Sequence, residues 1–157
     1  MNPVPAPDST GPADEQARWR AVRAANAQAQ AARAEQARAA EAAEAARLLA
    51  GFVTDLRAGG ISPVDLRATD ARGWRLPTGR SGWYLRRDET LAVGTHGEFL
   101  VLTVVLPWWS AARARRRGLP LAPAEPVLQI GRGARDGESI ALPDLLALRR
   151  ADLLPRT

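Results

Sequence analysis

From Ala13 to Ala58 the sequence contains no proline and a single glycine, Gly51, and Ala, Arg, Glu and Gln dominate it. These residues favour helix, because alanine has no side-chain entropy to lose and the straight-chain side chains lose little when the backbone coils. Pro12 suits the first helical position, where its missing N–H costs nothing, and Asp14 and Glu15 complement the positive end of the helix dipole. The stop is Gly59-Gly60, followed by Ile61, Ser62 and Pro63. One helix over this span would be about 70 Å long at ~1.5 Å per residue, roughly twice the width of a small domain. Most of it is therefore expected to project, fray or find a partner.

The two ends of this helix differ. Leu48, Leu49, Phe52, Val53 and Leu56 recur at helical spacing, so residues 47–58 are expected to dock on a core. From Ala24 to Ala46, fourteen of twenty-three residues are alanine and none is a large apolar residue, so residues 13–46 form an arm with little reason to pack. Val22, Ala25, Ala29, Ala32, Gln36, Ala39, Ala43, Ala46, Ala50 and Val53 follow heptad spacing. Two such arms could pair as a coiled coil through small side chains. An alanine seam buries little area and fits several registers, so such pairing is expected to be weak unless a protein partner supplies larger residues. Residues 1–12 mix proline with small polar residues and are expected to form a disordered tail, with neither the basic nor the apolar region of a secretory signal.

After the helix the period of the pattern changes from helical to alternating. Trp83–Arg87, Thr90–Thr95 and Glu98–Leu106 read as consecutive strands joined at Asp88-Glu89 and His96-Gly97, a β-meander. The third has apolar residues on both faces, which predicts a central position. Gly73–Leu76 is read as an added edge strand. Pro107–Pro126 is expected to be a long loop with a helical turn at Ser110–Arg116. Val127–Ile130 and Ser139–Leu142 resume strand character across the glycine-rich turn Gly131–Gly137, and Pro143 and Asp144 start a short helix with Leu145, Leu146 and Leu148 facing inward. The expected fold is α+β: a long N-terminal alanine-rich helix, then an α+β domain at residues 59–157 holding an antiparallel sheet of four to six strands and a short C-terminal helix.

All 22 basic residues of the 157-residue chain are arginine, and the net charge is +5. Residues 1–58 balance seven arginines against seven acids, so the surplus lies in residues 59–157, with fifteen against ten. Its most concentrated expression is Trp108 and Trp109 followed by Arg113, Arg115, Arg116 and Arg117. Arginine neutralises phosphate and an exposed tryptophan stacks on a base, so this segment is a candidate nucleic-acid or other polyanion surface, against the plainer reading of a solvated loop. A membrane surface is a third reading, because tryptophan prefers the headgroup region beside cationic side chains; the expected loop lacks an amphipathic helix of useful length.

No set of residues specifies a reaction. The chain has no cysteine, which excludes disulfides, thiolate metal sites and cysteine nucleophiles. Its one histidine, His96, fits a turn, and the acid pairs Asp88-Glu89 and Asp136 with Glu138 fall in predicted turns. Gly131–Gly137 follows a strand but has neither the spacing of a dinucleotide loop nor a Walker lysine. No metal or cofactor is expected. The longest apolar run, Phe99–Trp109, is shorter than the ~20 residues of a bilayer span. A cytoplasmic accessory or protein-interaction module with a helical arm is the leading expectation, and a polyanion-binding protein acting through residues 108–117 is the alternative.

Overall fold

The computed structural model describes residues 11–131 and 139–154. Along the chain, α1 spans Pro12–Ala58, β1 Val64–Asp70, β2 Arg75–Tyr84, β3 Leu91–Gly94, β4 Phe99–Val101 and β5 Thr103–Val104. Next come α2 at Trp108–Arg117, β6 at Gln129–Ile130, β7 at Ile140–Ala141 and α3 at Leu142–Leu153. The fold is α+β, with the long N-terminal helix and short C-terminal helix read from the sequence. Pro12, counted above both with the tail and as the first helical position, is the first helical residue; residues 1–10 of that tail and residues 132–137 of the glycine-rich turn lie outside the described residues.

The chain divides into two compact units, Met1–Ala39 and Ala40–Thr157. In the first, α1 opens with the Asp14 amide donating to the Gly11 carbonyl at 2.9 Å, and its side chains, Trp19 and Val22 among them, are exposed. In the second, the rest of α1 buries Leu49, Phe52, Val53 and Leu56 of the stripe read from the sequence, leaves Leu48 half-buried, and also buries Ala45, which falls in the segment expected to be an unpacked arm. The Ile61 amide donates to the Leu56 carbonyl at 2.9 Å around a bond from the Gly60 amide to the Arg57 carbonyl at 3.0 Å. This double closure needs a left-handed residue, and Gly60, at φ +72°, supplies it.

The main sheet has the order β4-β3-β2-β1-β5. β1 to β4 form an antiparallel meander, and β5 adds a short parallel pairing with β1. Only Leu102 separates β4 from β5, so one stretch of chain lies at both ends of that order. The Leu102 amide donates to the Thr90 carbonyl at 2.8 Å, while its own carbonyl accepts from the Thr69 amide at 2.6 Å. β1 and β3 are each antiparallel to β2 and so share a direction, yet this stretch runs against β3 and along β1. A strongly coiled sheet reconciles the two pairings. The coiling has local causes: the β1–β2 register shifts between Asp65 and Arg67, and Gly79 interrupts β2 at φ +67°.

Coiling also explains the core. On one face Trp83, Leu85, Leu91, Val93 and Phe99 pack with the α1 stripe and with Leu142, Leu145 and Leu146 of α3. On the other, Leu66, Ala92, Leu100 and Leu102 pack together, with Tyr84 and Leu121 beside them. The segment read as a central strand, Glu98–Leu106, is therefore divided and peripheral; its residues are apolar on both sides because the sheet wraps around one of them. Arg75 and Leu76, expected in an edge strand, belong to the interior strand β2, and β1 was not anticipated. Leu148, expected to face inward, is 60% exposed.

Candidate functional site

Pro107–Pro126 does not leave the sheet as a loop; it begins with α2, a ten-residue helix. Two alanines explain how it docks. Ala111 and Ala114 are buried, and their small side chains let the helix lie close to β2. Beyond the C-terminus, the Gly118 amide donates to the Ala114 carbonyl at 2.8 Å and the Leu119 amide to the Pro77 carbonyl of β2 at 2.7 Å. Arg115, Arg116 and Arg117 occupy the last turn, where positive charge offsets the negative end of the helix dipole.

With Ala111 and Ala114 turned inward, the remaining helix positions face outward in two neighbouring rows. Trp109, Arg113 and Arg117 follow one another at four-residue spacing, and Trp108, Ala112 and Arg116 form the adjacent row. Trp108 is 68% exposed and Trp109 60%, and all four arginines are exposed. Among the described residues none of these four makes an ion pair, whereas Arg72, Arg80, Arg86, Arg87, Arg149 and Arg150 of the same unit all do. No acid occurs between Phe99 and Ala124, so none lies within the segment to pair with them.

Arg115 departs from its neighbours. Its guanidinium carbon lies 4.9 Å from the centre of the Trp74 ring, with Arg72 at 6.0 Å from the same ring. Trp74 is placed by Asp70 at the end of β1. The Asp70 carboxylate is buried and accepts from the amides of Arg72 at 2.9 Å and Trp74 at 2.8 Å, and from Arg72 Nη1 at 3.1 Å. Burial opposes its charge, but the amide hydrogen bonds and the Arg72 guanidinium outweigh that effect and hold its pKa below the ordinary 3.8. The same Arg72 Nη1 donates to the Leu106 carbonyl at 3.1 Å, immediately before the proline that starts α2. One turn thus secures both ends of the helix, its start through Arg72 and its last turn through Trp74.

Of the six residues read from sequence, Trp108, Trp109, Arg113, Arg116 and Arg117 therefore share an outward surface, and Arg115 serves to hold it. Asp70, Arg72 and Trp74 were missed. The signal was Asp70-Ala-Arg-Gly-Trp74, an aspartate opening a glycine-containing turn whose carboxylate would be expected to bond the amides that follow.

The arm residues Val22, Ala25, Ala29, Ala32, Ala39, Ala43 and Ala46 are all exposed. Ala43 and Ala46 sit beside the buried Ala45 and Leu49, so the heptad seam and the docked stripe occupy different sides of α1; Val53, the last heptad position, is taken by the core. His96 lies in the β3–β4 turn with an exposed ring, 3.7 Å from Glu98. Asp88 is used by its own turn, accepting from the Thr90 hydroxyl at 2.6 Å and amide at 3.1 Å. Asp136 and Glu138 lie outside the described residues. A groove of about 850 Å³ is floored by Leu85, Ile140, Leu145 and Leu148. Its rim charges engage one another, Arg87 with Asp152 at 3.0 Å and Arg86 with Asp88 at 3.0 Å. Comparison of the chain with protein-family models, with curated proteins and with solved structures found no match.

Proposed function

We propose that this chain is a non-catalytic accessory module that docks on a polyanion through the outward face of α2. One observation carries the reading: Arg113, Arg116 and Arg117 stand together without acidic partners among the described residues, one to two turns from two exposed tryptophans, on a helix whose ends are tied to the sheet. Surface arginines that serve solubility alone are usually interspersed with acids, as elsewhere in this unit. The reading carries a cytoplasmic location with it.

Retention on immobilised heparin, followed with increasing salt, tests the reading. The full chain is expected to bind at low salt and elute as salt screens the contacts. Arg113→Ala, Arg116→Ala and Arg117→Ala together should lower the eluting salt far more than Arg33→Ala on α1. Failure to bind at low salt would remove the proposal.

The exposed seam from Val22 to Ala46 supports a second role, association of the arm with a protein partner or with another copy of itself as a coiled coil. Light scattering over a concentration series tests the self-association form. A mass that rises with concentration, and that Ala29→Glu with Ala32→Glu returns to the monomer value, supports it; a monomer throughout rejects it.

A further inference from the structure

We infer that the polyanion met by α2 is the phosphate layer of an anionic lipid bilayer, an inference that rests on the preceding reading of α2 as a polyanion surface. The added observation is an apolar tip. Val105, two residues before Pro107, is 87% exposed, and with Trp108 and Trp109 it places three large exposed apolar side chains within five residues. Five residues of extended chain reach at most about 18 Å, so the three belong to one local patch. Patches of this kind mark contact surfaces, whereas single exposed apolar residues need no explanation.

The two ends of the surface differ in chemistry along the helix axis. The apolar side chains lie at and before the N-terminus of α2. Arg113 follows Trp109 by four residues and Arg117 by eight, a separation of roughly 6 to 12 Å at ~1.5 Å per residue. A bilayer boundary has the same sequence of layers, since amphipathic anchors bury their apolar side about 5–10 Å into the headgroup and acyl boundary while arginines stay with the phosphates. Indole rings favour that boundary. A single-stranded nucleic acid would use the rings and the arginines, but Val105 has no face on which a base could stack. The charge complement is also right, because residues 99–124 hold four arginines and no acid, and the cytoplasmic leaflet is anionic. The Arg72 bond to the Leu106 carbonyl fixes the backbone between Val105 and Trp108, so the tip is held in place before contact. Among the described residues no helix is long and apolar enough to cross a membrane, which makes the contact a peripheral one.

Co-sedimentation of the full chain with phosphatidylcholine vesicles, with and without phosphatidylserine, tests the inference beside a fluorescent single-stranded oligonucleotide and the heparin column. Expected are binding to the phosphatidylserine vesicles alone, loss of that binding at high salt, and about fivefold weaker partitioning for each of Arg113, Arg116 and Arg117 changed to alanine. Val105→Asn, which removes the apolar side chain without changing the charge, should weaken vesicle binding while leaving heparin retention unchanged, and the exposure of Val105 makes the fold insensitive to the change, which circular dichroism verifies. Retention on heparin or binding of the oligonucleotide without binding of either vesicle overturns the lipid inference and leaves the polyanion reading standing. Vesicle binding indifferent to Val105→Asn and to Trp108→Ala with Trp109→Ala also overturns it, because the apolar tip then has no part. No binding to any of the probes overturns both.

Discussion

The two halves of α1 share a backbone conformation and little else. Before Ala40 the helix is made by propensity alone: alanine, arginine and glutamate coil, and their side chains stay in water. After Ala40 the same helix gains Leu49, Phe52, Val53 and Leu56, and those side chains hold the sheet and α3 in one core. Forming a helix and being held by one are separate achievements with separate residues behind them. An isolated alanine-rich helix is only marginally stable, so the first half should open far more readily than the second.

The strongest test of that difference is Phe52→Ala. Phe52 is fully buried, and its loss should cost about 3–5 kcal/mol in urea denaturation, enough to threaten folding. Ala32→Pro places the opposite burden on the other half. It should cost about 3 kcal/mol of local helix, seen as reduced ellipticity, while the urea midpoint of the core stays where it was. A lowered midpoint would show that the halves are coupled and break the comparison.

Acid sharpens it further. The Asp70 pKa is lowered in the folded state, so its contribution is complete above the ordinary 3.8 and is lost as pH falls through the lower folded value. The midpoint of the core should therefore fall with pH below about 4, and Asp70→Asn should lack that part of the fall. Gly51→Ala has a smaller effect of opposite sign. Nothing lies within 4 Å of the position a methyl would take, so the change should raise stability by about 0.5–1 kcal/mol. Smallest is Glu35→Ala: Glu35 meets Arg38 at 3.8 Å in open water, and its removal should alter the core midpoint by less than about 0.5 kcal/mol.

How far the fold could be read in advance followed the same division. α1 was legible from end to end because propensity, the acidic first turn and the glycine stop agree. β1 was not, since Val-Asp-Leu-Arg-Ala-Thr-Asp has one large buried apolar side chain, Leu66, and completes its inward face with Ala68 and Asp70. α2 was hidden for a related reason: its buried positions are alanines, indistinguishable in sequence from the Ala112 that stays near the surface. The segment that carries the candidate site could be named, but its outward direction could not, because that depends on which alanines meet β2. Nor does charge counting separate Arg115 from Arg116 and Arg117; the ring of Trp74 does.

Leu102 has a consequence for how copies of this protein can meet. An open sheet exposes a row of unpaired amides and carbonyls to which a neighbouring chain can add a strand, the usual start of edge-to-edge aggregation. Here the two ends of the strand order are one stretch of backbone, and the amide and carbonyl of a single residue are bonded to opposite sides. At that residue the main sheet leaves no free edge, and the surface proposed for contact with another macromolecule, Val105 with the outward face of α2, works through side chains instead.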